Sequence, residues 1–326
     1  MTERSLLIPV RTDAPILGME DAGDDLFVTC AGAEDRTLAV VNRLHTTYRT
    51  QRAVVFACRD YREQGRSPEF EEAITRKLDD CCAGNVDMLV FDLQNPIPSF
   101  SKLWELISTI DGCKSISVDI TSFPRQEALM LLHVLDSLAS SPRVRLFYSE
   151  PQQFGTEQEG GWLTRGVLDV SSVPGFGGVQ RPGKREVLVL FLGLEDERAA
   201  IVRSRLQPAA TVYIFPEPGF RKALDGASTR IHRLLLSDTE QQTVLSSIPA
   251  NGISQARDSV LDLHEQLKAD FDIVVAPLGT KMQTLGVYEA ARQRIAIQVV
   301  HALPAVYNFQ GYSAGIGHTW EIPWRN

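Results

Sequence analysis

Apolar residues along this chain fall in short, dense runs. LFVTCA (Leu26 to Ala31), AVVFAC (Ala53 to Cys58), EVLVLFL (Glu186 to Leu192), TVYIF (Thr211 to Phe215) and DIVVAP (Asp272 to Pro277) are strand-sized and rich in Val, Ile, Leu and Phe. Runs without a polar alternation predict strands covered on both faces, as in a parallel sheet. Between them, Pro68 to Cys81, Phe100 to Ile110 and Ser254 to Lys268 space their apolar residues at a helical period. Strands alternating with helices predict an α/β architecture with helices packed over a parallel sheet.

The pattern is written twice. Gly32-Ala33-Glu34-Asp35-Arg36 and Gly193-Leu194-Glu195-Asp196-Glu197 each follow an apolar run and precede a segment of helical period, TLAVVNRL and RAAIVRSRL. A second strand follows in each copy and ends in an aromatic-arginine pair, Tyr61-Arg62 and Phe220-Arg221. Later, Ser115 to Leu135 matches Asp272 to Ala291 as strand, polar turn and helix, and VRLFYSEP matches IQVVHALP. The spacing between equivalents falls slowly, from 161 at Gly32/Gly193 through 159 at Tyr61/Phe220 and 157 at Ile116/Ile273 to 153 at Pro151/Pro304. Ordered matches with a small drift indicate duplication with a few short deletions. The expected fold is therefore two tandem Rossmann-like, parallel-sheet halves. Boundaries are set at 1–154 for the first half and 185–307 for the second, joined by a Gly- and Pro-rich linker at 155–184, in which Trp162, Leu163, Val167, Leu168 and Val170 can form a short hairpin or edge element. Residues 308–326 form a tail with no strand or helix period, expected to pack across a surface.

Composition narrows the function. The 326 residues are 44% hydrophobic and 23% charged, which suits a globular protein with a large interior. A net charge of -8 argues against general coating of nucleic acid and leaves room for a small anionic ligand in a local pocket. No apolar run approaches the roughly 20 residues that span a bilayer. The segment 1–15 lacks a long apolar core before a small-residue cleavage site, so a cytoplasmic location is expected. The five cysteines show no CxxC spacing and the six histidines no HxxxH or HExxH pair, so neither a metal nor a cofactor is implied. Cys30 and Cys58, inside apolar runs, read as small buried hydrophobes.

Ligands of parallel α/β sheets bind outside the carboxyl ends of the strands, which directs attention to the turns there. Pro277-Leu278-Gly279-Thr280-Lys281 has the parts of an anion site: a glycine for close backbone approach, a hydroxyl, a lysine and helix-start N–H groups. An ordinary helix start with Thr280 as N-cap is the competing reading. The equivalent first-half turn, Asp119-Ile120-Thr121-Ser122-Phe123-Pro124-Arg125, keeps hydroxyls and an arginine but no glycine, and reads as the degenerate copy. Gly32 and Gly193 mark the first-strand turns. Their Glu-Asp pairs complement a helix dipole or, alternatively, supply an acid or base. Arg221 is a candidate anion clamp, and His301, at the end of a predicted strand, a candidate ligand contact.

The two late turns, LGTKMQTL and DITSFPR, resemble the strand-to-helix motif of the CARF family, Rossmann-like sensor domains of CRISPR ancillary proteins, which commonly reads D-x-T-G-G-T-K. Two such units in one chain resemble the SAVED arrangement of fused CARF-like halves. The resemblance implies a cyclic oligonucleotide or other small anionic nucleotide bound between the halves, in prokaryotic defence signalling. It carries Gly279, Thr280 and Lys281 over as ligand-binding in the second half and Asp119, Thr121 and Ser122 in the first, with Gly32 and Gly193 as the other wall. Pro277-Leu278 and Phe123-Pro124 depart from the motif. Two other functions stay open: an enzyme acting on a nucleotide or sugar phosphate, including ring-nuclease-like cleavage, with Asp119, Glu34 or Glu195 as acid or base; and a non-catalytic subunit of a defence complex. A protein effector or complex partner is expected in either sensing role.

Overall fold

The computed structural model describes residues 8–10, 16–17, 23–64, 67–110, 112–158, 161–237 and 242–325. Most of the segment 1–15, read above for a leader, lies outside them. The chain divides into two compact units, Met1–Gly161 with Asn308–Asn326, and Trp162–Tyr307.

In the first unit the strands are β1 (Ile8–Val10), β2 (Asp24–Ala31), β3 (Thr50–Cys58), β4 (Val86–Phe91), β5 (Ser115–Asp119) and β6 (Arg143–Phe154). Helices α1 (Arg59–Gln64), α2 (Ser67–Asp79), α3 (Ile97–Ser108) and α4 (Arg125–Asp136) connect them. The second unit opens with β7 (Thr164–Gly177) and continues with β8 (Arg185–Phe191), α5 (Asp196–Leu206), β9 (Ala210–Pro216), α6 (Ala227–Ile231), α7 (Arg233–Leu236), β10 (Gln242–Ile248), α8 (Ile253–Leu267), β11 (Phe271–Pro277), α9 (Lys281–Gln293) and β12 (Gln298–Tyr307). The chain then returns to the first unit as β13 (Ser313–Arg325).

The sheets have the same plan. One is ordered β4-β3-β2-β5-β6-β13-β1 and the other β10-β9-β8-β11-β12-β7. Counted along the chain, each five-stranded parallel set runs third, second, first, fourth, fifth, and an antiparallel strand closes it beside the fifth, with the three-residue β1 added outside β13 in the first sheet. This is an α/β fold of two Rossmann-like halves, as the repeat predicts. The strand order reverses between β2 and β5 in one sheet and between β8 and β11 in the other, which makes these the switch points where such folds bind ligands.

The closing strands are exchanged along the sequence. β7 follows β6 but closes the second sheet against β12, while β13 follows β12 and closes the first sheet against β6. β7 is the edge element expected within the loop-rich join, longer than its apolar residues suggest, and β13 lies where the sequence predicts an aperiodic tail. Glycines and ladder irregularities hide them: β13 shifts register between Ile316 and Thr319, with Gly317 between, and β7 between the partners of Leu303 and Pro304. A further difference lies after β2, where residues predicted to be helical form two 3-10 turns, Asp35–Leu38 and Val41–Arg43. Thr37 donates its hydroxyl to the Cys30 carbonyl at 2.9 Å, a local side-chain bond that competes with helix continuation.

Apolar strand faces build the cores. Phe27, Val55, Ile74, Leu78 and Phe147 are wholly buried in the first unit, and Leu188, Leu190, Val202, Tyr213 and Ala276 in the second. Cys30 and Cys58 are buried, and burial pushes the Cys58 thiol well above its ordinary range. Among the described residues no helix is long and apolar enough to cross a membrane.

Candidate functional site

At the second switch point the turns after β8 and β11 touch through their backbones. A Cβ placed on Gly193 would sit 2.3 Å from the Leu278 carbonyl oxygen, so only glycine lets the turns meet. α9 starts directly behind. Thr280 is its N-cap: the hydroxyl accepts the Gln283 N–H at 3.1 Å, and the Gln283 side chain accepts the Thr280 N–H at 3.2 Å. That reciprocal pair is a capping box. The same hydroxyl donates to the Ala250 carbonyl, and Gln283 Nε2 donates to the Ile248 carbonyl at 3.1 Å. The capping box therefore ties the loop after β10 to the start of α9. Thr280 is spent on the turn itself; Gly279 before it is buried, and Lys281, half-buried, opens the helix.

The first switch point holds the same turns with different contents. Gly32 N–H donates to Thr37 Oγ1 at 2.9 Å, and Ser122 Oγ donates to the same oxygen at 2.9 Å. Asp119 accepts the Thr121 N–H at 2.9 Å, and Thr121 Oγ1 accepts the Ser149 N–H at 2.9 Å. Asp119, Thr121 and Ser122 are all buried. Pro124 stands in the N-cap position that Thr280 holds in the second half, and Phe123, in the position of Gly279, is 1% exposed and meets Phe56 edge-on at 5.2 Å. The first-half turn is thus internally satisfied and capped by an aromatic ring. Arg125 begins α4, half-buried.

Arg221 lies past the end of β9, in the loop where Gly219 N–H donates to Asp225. His301 is not at a strand end. It sits within β12, 7% exposed, opposite Ser171 of β7.

The Glu-Asp pairs prove to hold a duplicated latch. Glu34 accepts two bonds from Arg36, at 2.9 and 3.0 Å, and a hydroxyl bond from Ser313 of β13; Arg36 donates onward to the Ser149 carbonyl at 3.0 Å. In the second unit Glu195 accepts from Arg198 at 3.1 Å and from Thr164 of β7, and Arg198 donates to the Ala302 carbonyl at 2.6 Å. Both arginine side chains are under 10% exposed. Burial works against the Arg36 charge, but the Glu34 carboxylate together with Tyr148 and Tyr312 outweighs it and raises the guanidinium pKa. Each latch pins the first strand's turn to the start of the closing strand and to the fifth strand. Glu34 and Glu195 are accordingly ion-pair partners, not placed as an acid or base. The signal was present in the sequence, since Arg36 and Arg198 recur beside the two glutamates.

No family model and no curated protein matches the chain. Among solved structures, the fold is similar to that of a Type III CRISPR defence DNA nuclease activated by cyclic oligoadenylate. The TM-score is 0.52 at 9% identity, and the alignment covers 82% of this chain. The chain spans 64% of that nuclease's length. At this identity the likeness establishes the fold. A universal stress protein from Archaeoglobus fulgidus aligns over 86% of this chain and 96% of its own at 11% identity, but its TM-score of 0.25 carries no argument.

Proposed function

We propose that this chain is a CARF-like and SAVED-like sensor of a prokaryotic defence system, acting in the cytoplasm, which binds a cyclic oligonucleotide or related anionic nucleotide. The observation that carries the reading is the second switch point, where Gly193 lets two turns meet and Lys281 opens α9 beside Gly279. A helix start with a lysine and close-lying backbone suits a phosphate. The fold likeness to a nuclease that answers to cyclic oligoadenylate supports the choice of ligand class.

Within this reading the halves have unequal roles. Gly193, Gly279 and Lys281 contact the ligand, with Thr280 and Gln283 as positioning residues. Gly32, Asp119, Thr121, Ser122 and Arg125 do not carry the affinity, because the first-half turn is closed by Phe123 and its own hydrogen bonds; Arg221, past the end of β9, and His301, within β12, are secondary contacts of the second half.

A thermal-shift screen against cyclic di-, tri- and tetranucleotides, followed by calorimetric titration, tests the proposal. One cyclic oligonucleotide is expected to stabilise the protein selectively. Lys281→Ala is expected to weaken its binding at least about tenfold, the loss of one charge-assisted contact worth about 1.5–3 kcal/mol. Ser122→Ala should leave the affinity within about twofold. Equal affinity in the Lys281 variant would overturn the assignment of that turn.

A further inference from the structure

The third strands of the two sheets occupy the same place in the plan but have different surroundings. β4, the outer strand of the first sheet, packs against α2 and α3 and is half-buried along most of its length. Its one charged residue, Asp87, is ion-paired with Arg52 at 2.8 Å. In the second unit the described residues of the connection into the outer strand hold a 3-10 turn, Lys222–Leu224, and α6 and α7, of five and four residues. The helix that leaves it, α8, packs on α9 and β11. β10 is left with six consecutive exposed residues, Gln242 to Ser247. Val244 and Leu245, 52% and 59% exposed, project from opposite faces. Among the described residues β10 pairs with β9 alone, so its outer edge meets no strand.

Exposed edges are ordinarily blunted by charge, proline or a bulge. β10 reads QTVLSSI, with neither charge nor proline, and pairs with β9 in unbroken register over all seven residues. Such an edge is a template for another strand.

We infer that β10 is a self-association surface and that its occupant is the β10 of a second copy of this chain, antiparallel across a twofold axis. Charge argues for this occupant. Each copy carries a net charge of -8, so two copies repel over most approaches and meet most easily along a charge-free strip. A twofold interface must also be complementary to itself. With the axis at Leu245, Val244 faces Ser246 of the other copy, Thr243 faces Ser247, and Gln242 faces Ile248, with no like charges opposed. Both sheets then extend through main-chain hydrogen bonds. This inference is independent of the ligand reading.

Light scattering on the full chain, eluted at micromolar concentration, tests it. The wild type is expected at twice 36.2 kDa, and a Val244→Lys, Leu245→Lys double variant at 36.2 kDa with an unchanged circular dichroism spectrum, because both side chains are exposed. A Leu245→Cys variant should form an intermolecular disulfide under mild oxidation that the wild type does not form. A wild type of 36.2 kDa, or a double variant that keeps the doubled mass, would overturn the inference; so would a monomer that pairs β10 with a strand of an unrelated protein.

Discussion

Buried charge does its structural work in this molecule in pairs. Glu195 and Arg198 have side chains 8% and 4% exposed, so neither can be left alone without stranding the other away from water. Glu195→Ala is expected to cost about 3–5 kcal/mol in urea unfolding, the usual penalty for breaking such a pair from one side. Replacing both residues together, as in Glu195→Gln with Arg198→Met, should recover most of that loss; a single substitution costing under about 1 kcal/mol would show that the arginine finds water. His232 behaves differently. Buried, with Nδ1 2.8 Å from the Ser228 carbonyl and Nε2 3.2 Å from that of Glu195, it has its pKa lowered by desolvation despite those two oxygens. The unfolded chain therefore binds this proton more readily than the folded one. Stability conferred by the neutral ring is complete above about pH 6.5 and is lost as the pH falls from there through the lowered folded value. His264, also lowered by burial, acts in the same direction. Melting temperature should drop between pH 7.5 and 5.5, and His232→Asn should flatten that slope; an unchanged slope would mean that other groups set it.

At the scale of elements, what could be read from the sequence was what depends on neighbours in sequence. The central strands announce themselves because both faces are apolar, and α2, α3 and α8 because their apolar residues keep a helical period; their observed ends fall within three residues of the expected ones. The duplication was legible for the same reason, since each copy repeats the local pattern. An edge element could be read at Leu163, Val167 and Val170, but the full length of β7 and the whole of β13 were hidden because nothing local dictates them. Their burial alternates irregularly, glycines interrupt them, and they are strands only because an open edge stands ready, of β12 for one and β6 for the other. The turn after β11 was legible as a site because glycine, threonine and lysine stand together there. That the threonine serves the helix, as its N-cap, emerged only from its bonds to Gln283 and Ala250. His301 misled because β12 runs on past the expected strand end, to Tyr307, and leaves the histidine inside the ladder.

Viewed whole, the chain enters the second unit after Gly161 and returns to the first after Tyr307. Damage near one end of the sequence is therefore felt in a sheet built mostly from the other. Ending the chain at Tyr307 removes β13, and with it the hydroxyl contact of Ser149 to Thr319 at 2.9 Å and the bond that Trp320 Nε1–H donates to the Glu150 carboxylate at 2.7 Å, and exposes the edge of β6. Hydrogen exchange of the shortened chain is expected to show lost protection in residues 143–154, about 150 positions from the cut, with β8 and β11 unchanged. Loss confined to β12, beside the cut, would contradict the exchanged-strand plan.

The same plan sets an order of events during synthesis. The second sheet has its closing strand waiting before any of its parallel strands exists, because β7 is made before β8. The first sheet is in the opposite position. When β6 leaves the ribosome every parallel strand of that sheet has been made, yet the strand that closes it lies a whole half-chain away, and at about 5–20 residues per second it follows roughly 8–30 s later. Two halves that match closely in architecture are thus born unequal in time: one is guarded from the start, and the other holds an open strand edge through the making of its twin.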